Sequence, residues 1–284
     1  MTKTKKTEHK EENKSGKYEP LRIELGALAT GMFYSVQLER IQAFNRIRNI
    51  IYRELEGITI TEKQDKKDIK EYLDEYNDRK LLKKIRELLP KLETTKQAYV
   101  QKILELLEDF REKEGSHKAL MQEYIEQEPI YQQWLKNIKG ISVINTANLL
   151  QYFGYCERGK HVSSLWRFSG LTPDSKREKG KSLDFNPKLR TLMYRIGDCF
   201  IKQRTPGYRE VYDKAKEEYL KRHKEGKCQK CTELGRNDKP GHSDLMARRK
   251  MVKEFLKDYW SHCCLLTNRD PGKPYSARFH KGEE

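Results

Sequence analysis

Between Leu21 and Leu55 the apolar side chains return at intervals of mostly three and four residues: Leu25, Leu28, Met32, Val36, Leu38, Ile41, Phe44, Ile47, Ile51 and Leu55. That interval is the α-helical repeat, whereas a strand needs strict alternation. The pattern predicts a long helix from Leu21 that ends at Gly57. Valine occurs 6 times in the 284 residues against 29 leucines, so good strand formers are scarce along the whole chain. The expected class is all-α.

Ile58-Thr59-Ile60-Thr61 reads as a linker with a helix cap at its end. Residues 62–89 and 91–111 continue in charged helical patterns broken at Pro90, which lacks an N–H. Ile103, Leu104, Leu106 and Leu107 supply the apolar face of the second. Narrow apolar stripes on long charged segments predict a helical hairpin or coiled-coil arm over residues 21–130. Such an arm serves either as a homodimer contact or as a bundle closed on its own domain, and the sequence leaves both open. The Lys/Glu/Thr-rich residues 1–20 cannot bury a core and read as a disordered tail.

Charged residues make up 36% of the chain and mean hydropathy is −0.98, with no run near the ~20 apolar residues of a spanning helix. No membrane partner is expected. The N-terminus has no apolar signal-peptide core, so the chain is expected in the cytoplasm, with the nucleoid. Its net charge of +16 is unevenly placed. Residues 1–157 carry 28 Lys+Arg against 26 Asp+Glu, residues 158–224 carry 18 against 8, and residues 225–284 carry 13 against 9. An almost neutral half beside a basic half points to a polyanion partner.

Residues 131–225 are expected to form one domain. YQQWLKNIKGISVINTANLLQYFGY reads as a short helix, a turn and a second helix with Ile144, Ala147, Leu150 and Phe153 inward. This is a helix–hairpin–helix pattern. Gly140, Ser142 and Asn145 stand where backbone N–H groups at a helix start can meet a phosphate. A short helix capped by Ser163 follows, then a turn at Gly170–Pro173 and a polar loop holding Lys176, Arg177, Lys179 and Lys181. After Pro187 a helix resumes with Leu189, Leu192, Met193 and Ile196 buried, and Lys188, Arg190 and Arg195 open to solvent or phosphate. Tyr208 and Tyr212, among Arg204, Arg209 and Lys214, are either stacking platforms for single strands or core tyrosines.

The succession IKGISVINTANLLQYFG, SLWRFSGLTPDSKREKGK and NPKLRTLMYRIG resembles the C-terminal domain of the insertion-sequence 110/116/902 transposase family. The shared order is a hairpin near Gly140-Ile141, a hydrophobic helix leading into Gly170-Leu171-Thr172-Pro173, a basic loop, and Leu189-Arg190 opening a helix. PGHSDLMARRKMVKEFLKDYW is similar to the tail of archaeal members, and the likeness covers about residues 131–260. It implies DNA as partner and transposition or recombination as activity. Members also carry an N-terminal nuclease-like domain, with four acidic residues on a β-sheet binding divalent metal. Residues 21–130 lack that pattern, so the domain is missing or replaced here. The family's nucleophilic serine stands just before the glycine of the basic loop. Here that place reads Arg177-Glu178-Lys179-Gly180, and Ser175 and Ser182 flank it as candidate catalytic residues. Mg²⁺ would be needed only if the chain is catalytic.

Cys228-Gln229-Lys230-Cys231 is a CxxC in a Gly/Lys-rich stretch, followed by His242. In a cytosolic setting this spacing favours a metal over a disulfide, and two thiolates with an imidazole suit a structural Zn²⁺. His262 lies 20 residues beyond His242 along a helix, about 30 Å at 1.5 Å per residue, too far to share an ion. His280, returning through Pro271, Gly272 and Pro274, is the expected fourth ligand, with His223 its rival. Residues 226–284 are thus expected as a zinc knuckle with a basic helix. That helix turns Val252, Phe255, Leu256 and Tyr259 inward and spaces Arg249, Lys250, Lys253 and Lys257 as phosphate contacts. Three functions follow: a DNA-binding transposase-like protein without its own nuclease domain, a divergent active transposase or recombinase using a loop serine, or an RNA-binding ribonucleoprotein component.

Overall fold

The computed structural model describes residues 15–56, 78–157, 159, 161–172, 175, 179–233, 235 and 241–272. Among them there is no strand; ten α-helices and two 3₁₀ turns carry the fold, as the leucine-rich, valine-poor composition requires. No helix among them is long and apolar enough to cross a membrane. The chain divides into two units, residues 31–120 on one side and residues 1–30 with 121–284 on the other. Both divisions fall inside long helices.

Helix α1 runs Ser15–Glu56, so residues 15–20 are helical where a tail was expected; Gly57, the expected stop, lies outside the described residues. Helix α2, Asp78–Leu88, runs into a 3₁₀ turn, Leu89–Lys91, in which Pro90 occupies the first turn. Helix α3, Thr94–Glu126, continues well past residue 111. In the unit 31–120, Ala43, Phe44 and Ile47 of α1 meet Ile85 of α2 and Val100, Ile103 and Leu107 of α3 in one core. Arg40 Nε and Gln37 Nε2 both donate to the Glu114 carboxylate, at 2.7 and 3.0 Å, which fixes α1 antiparallel to α3. The hairpin therefore closes on its own residues. Leu106, expected on the inner face, is 41% exposed, because the seam follows Val100, Ile103 and Leu107.

The other unit contains α4 (Pro129–Gln133), a 3₁₀ turn (Leu135–Asn137), α5 (Val143–Phe153), α6 (Val162–Phe168), α7 (Pro187–Gln203), α8 (Tyr208–Lys224), α9 (Gln229–Glu233) and α10 (Gly241–Leu266). Residues 121–130 and the start of α1 belong here too. Gly26 lies against α5, where an added Cβ would sit 3.1 Å from the Gln151 nitrogen, and the Thr30 hydroxyl donates to Gln151 Oε1 at 2.7 Å. Helix α10 is the spine. It packs most extensively on α8, then on α7, α6 and α4. Val252, Phe255, Leu256 and Tyr259 are buried on it as the sequence pattern predicts. Burying each such side chain stabilises by about 1.5–3 kcal/mol. Trp134 stacks on His262 at 4.2 Å and on Phe255 at 5.8 Å, while Phe200 stacks on Tyr208 at 4.7 Å.

Local signals in the sequence explain the helix starts. Asn186 caps α7, its Oδ1 accepting from the Lys188 and Leu189 N–H groups at 2.9 and 3.1 Å ahead of Pro187. Ser142 caps α5, accepting from the Asn145 N–H at 3.2 Å. The start of α6 differs from expectation. It begins at Val162 after His161, with no side-chain cap, because Ser163 already lies inside the first turn.

Candidate metal centre

Four side chains converge where α8 ends and α10 begins: His223, Cys228, Cys231 and His242, whose ligand atoms all lie within 4.8 Å of one another. The helices produce this meeting. They run antiparallel, as the Tyr208–Asp258 contact at one end and the His223–His242 contact at the other require. His223 occupies the last turn of α8 and is buried. The chain then reverses at Gly226, whose φ of +69° favours glycine, with its N–H bonded to the His223 carbonyl at 3.0 Å. Cys228 follows, and its carbonyl accepts from the Cys231 and Thr232 N–H groups at 3.0 Å each, so both thiols are held on one tight turn. His242 is the second residue of α10.

The four ligand atoms are close enough to share one cation. His242 Nδ1 lies 3.1 Å from His223 Nε2, 3.6 Å from Cys228 Sγ and 3.0 Å from Cys231 Sγ. Around a tetrahedral ion with N at ~2.0–2.1 Å and S at ~2.3 Å, neighbouring ligand atoms stand roughly 3.3–3.7 Å apart. Proton accounting points the same way. His223 Nδ1 faces the Tyr219 carbonyl at 2.5 Å; a carbonyl only accepts, so Nδ1 carries a hydrogen and the ring turns Nε2 toward the cluster, the orientation a metal ligand needs. A single N–H on His242 Nδ1 can serve only one of its three neighbours. Lone pairs crowded this closely repel unless a cation lies between them, and the donor set suits a metal ion such as zinc. Four protein ligands leave no position for an activated water, which is the arrangement of a structural rather than a hydrolytic site.

Three of the expected ligands, Cys228, Cys231 and His242, are thus brought together. The fourth place, expected for His280, is taken by His223; His280 lies outside the described residues. The signal was present as a histidine five residues before the CxxC, but only the antiparallel packing of α8 on α10 shows that both histidines share one end. His262 points elsewhere, with Nδ1 at 2.8 Å from the Asp258 carbonyl and its ring on Trp134.

The other expected site residues are dispersed. Gly140 has a φ of +97°, and an added Cβ would lie 3.4 Å from both Cys199 Cβ and the Phe200 ring. Its turn is pinned by the Thr205 hydroxyl donating to the Lys139 carbonyl at 2.7 Å, and Asn145 Nδ2 reaches the Gly140 carbonyl at 3.4 Å. Packing and backbone conformation therefore account for this glycine. Lys176 and Arg177 lie outside the described residues, while Lys179, Lys181 and Ser182 are exposed. Ser175 is buried, with its hydroxyl 2.7 Å from that of Thr172. Arg190 donates to the Ser175 carbonyl at 3.2 Å and lies over the Phe185 ring, so it braces the loop rather than facing water.

The basic face expected on α10 is divided. Lys257 pairs with Glu254 and Lys250 with Glu218, whereas Lys253 lies over Trp166 and Arg249 is half-buried. Tyr208 and Tyr212 are structural: their hydroxyls donate to Asp258 and Asp244, and burial, then Asp258, pushes the Tyr208 phenol well above its ordinary range. Sequence reasoning missed the link through Arg248, which bridges Asp198 of α7 and Asp244 of α10. It also missed the buried Glu128–Tyr155 hydrogen bond of 2.8 Å. Nothing in the linear pattern pairs residues so far apart. Among the described residues the His/Cys set is the group able to hold a metal, and no carboxylate cluster of that kind forms. No protein-family model, curated protein or solved structure matches the chain.

Proposed function

We propose that this chain is a zinc-stabilised, transposase-like nucleic-acid-binding protein that contacts phosphates and works as a binder rather than a nuclease. One observation carries the reading: His223, one member of a closed Cys₂His₂ donor set, stands in the same helical turn as the exposed cations Lys221, Arg222 and Lys224. Two thiolates and two neutral imidazoles neutralise Zn²⁺ and match its tetrahedral preference. The ion would then hold this helix end in fixed geometry, with its cations at the C-terminus where the helix dipole favours them. Lys179 and Lys181 of the basic loop, and Lys188 and Arg195 along α7, are exposed as well and extend the cationic surface. The resemblance of residues 131–260 to transposases favours DNA. The buried, hydrogen-bonded Ser175 speaks against a loop-serine nucleophile.

Metal analysis and binding in the same preparation test the proposal. The purified chain should hold about one zinc, and less than ~0.5 per chain would overturn the metal. Binding to duplex, single-stranded and branched DNA and to structured RNA is then measured at ~50 and ~200 mM salt; six phosphate contacts would weaken Kd about 10³-fold across that range. An unchanged Kd would overturn phosphate-driven binding. Preference for structured RNA would move the reading to a ribonucleoprotein component. Nicking of supercoiled DNA with Mg²⁺, abolished by Ser182→Ala, would make the chain a recombinase.

A further inference from the structure

Between its metal-ligating start and its aromatic end, α10 carries five cations: Arg248, Arg249, Lys250, Lys253 and Lys257. Three are matched by carboxylates. Arg248 sits between Asp198 and Asp244, Lys250 reaches Glu218 at 3.4 Å, and Lys257 pairs with Glu254. Arg249 and Lys253 meet no carboxylate among the described residues, and they are neighbours, four residues apart on the same side of the helix.

Both are half-buried. Arg249 Nε is shut off from water and has no hydrogen-bond partner. The Lys253 ammonium lies 5.0 Å from the centre of the Trp166 ring, and the indole Nε1 donates to the carbonyl of Lys253 itself at 3.2 Å. Burial first, and the Arg249 charge second, lower the Lys253 pKa. Desolvation and like charge thus both act against this pair, and the indole face offsets only part of that cost. An anion would remove both penalties at once.

We propose that Arg249 and Lys253, backed by Trp166, form a phosphate-binding subsite. It rests on the nucleic-acid reading above and specifies which cations of α10 touch the strand. Arg249 presents a planar fork to two phosphate oxygens, and Lys253 adds a point charge held in place by the indole. Lys250 and Lys257 already have carboxylate partners and stay outside the contact.

The test uses the full, metal-loaded chain and two probes: a labelled DNA duplex of about 20 base pairs, and inorganic phosphate followed by tryptophan emission. Arg249→Gln and Lys253→Gln should each weaken duplex binding roughly five- to tenfold and lower the slope of log Kd against log salt by about 1. Lys250→Gln and Lys257→Gln should change Kd by less than about twofold, as expected for cations already paired on the surface. Phosphate should alter the emission of the unmodified chain but not that of Trp166→Phe or the double variant. Melting temperatures at or above the parent value would show that the fold is intact, since an uncompensated cation has been removed. Unchanged duplex and phosphate binding in Arg249→Gln and Lys253→Gln overturns the subsite while leaving nucleic-acid binding in place, and so does an equal loss in Lys250→Gln. Phosphate binding lost in those variants, in a chain that binds no oligonucleotide, supports the subsite and overturns the nucleic-acid reading. Binding of neither probe overturns both.

Discussion

At its N-terminal end α10 brings His242 into a set of four candidate metal donors, and at its C-terminal end it packs through a stack of rings. Around His242, only His223 and Cys231 of the donor set are buried, and the neighbouring described residues from Lys224 to Gly235 are mostly exposed. Around Tyr259, by contrast, Phe255, Leu256, Trp260, Cys263 and Cys264 are all buried, with Phe255 against Trp134 and Phe200 and Tyr259 itself against Phe153. A short polar connection removes little apolar surface from water, and an ion held by the donor set would supply what packing supplies at the other end. The two ends should therefore fail separately.

Removing the ion is the largest expected perturbation, because structural zinc contributes about 10–16 kcal/mol of apparent binding free energy in small modules. Chelation or Cys231→Ser should bring amide exchange in residues 224–235 close to unprotected rates while residues 251–264 stay protected. Loss of protection at both ends together would break the comparison. Phe255→Ala comes next, with an expected loss of about 3–5 kcal/mol in global stability, read by denaturant unfolding, and an unchanged zinc content. A fall in zinc would show that the two ends are one cooperative unit.

The smallest effect concerns the middle of the helix. Hydrogen bonds from Lys202 first, and from Arg248 second, hold the Asp198 carboxyl below its ordinary range. The folded pKa is therefore below the unfolded one. The contribution is present above the unfolded value near ~3.9 and is lost as pH falls through the folded value. Asp198 is 39% exposed, so solvent screens the interaction to under about 1 kcal/mol. Asp198→Asn should flatten the acid limb of the stability curve by that amount below about pH 4, measured by unfolding at each pH. A larger change would mean that the Arg248 bridge, rather than either end, holds α10 to α7.

The fold class and the inward faces of α5, α7 and α10 were legible because they depend on spacing along one helix. The break after α2 near Pro90 was legible because proline acts locally. Which helices pack together was not legible: α1 and α3 each run through both units, and α10 packs on α8. The metal centre was legible in part. Cys228 and Cys231 lie on one turn, so their spacing alone places them together.

By itself, then, the sequence determined what is short-range in origin: helices from a three-to-four repeat, and a CxxC that can present two thiols to one ion. Tertiary structure alone decided which histidine completes the donor set and which cations of α10 keep their charge uncompensated. Both outcomes depend on which side chains other helices bring within a few ångströms. Coulombic and coordinate interactions act over that distance in space, whatever the separation along the chain.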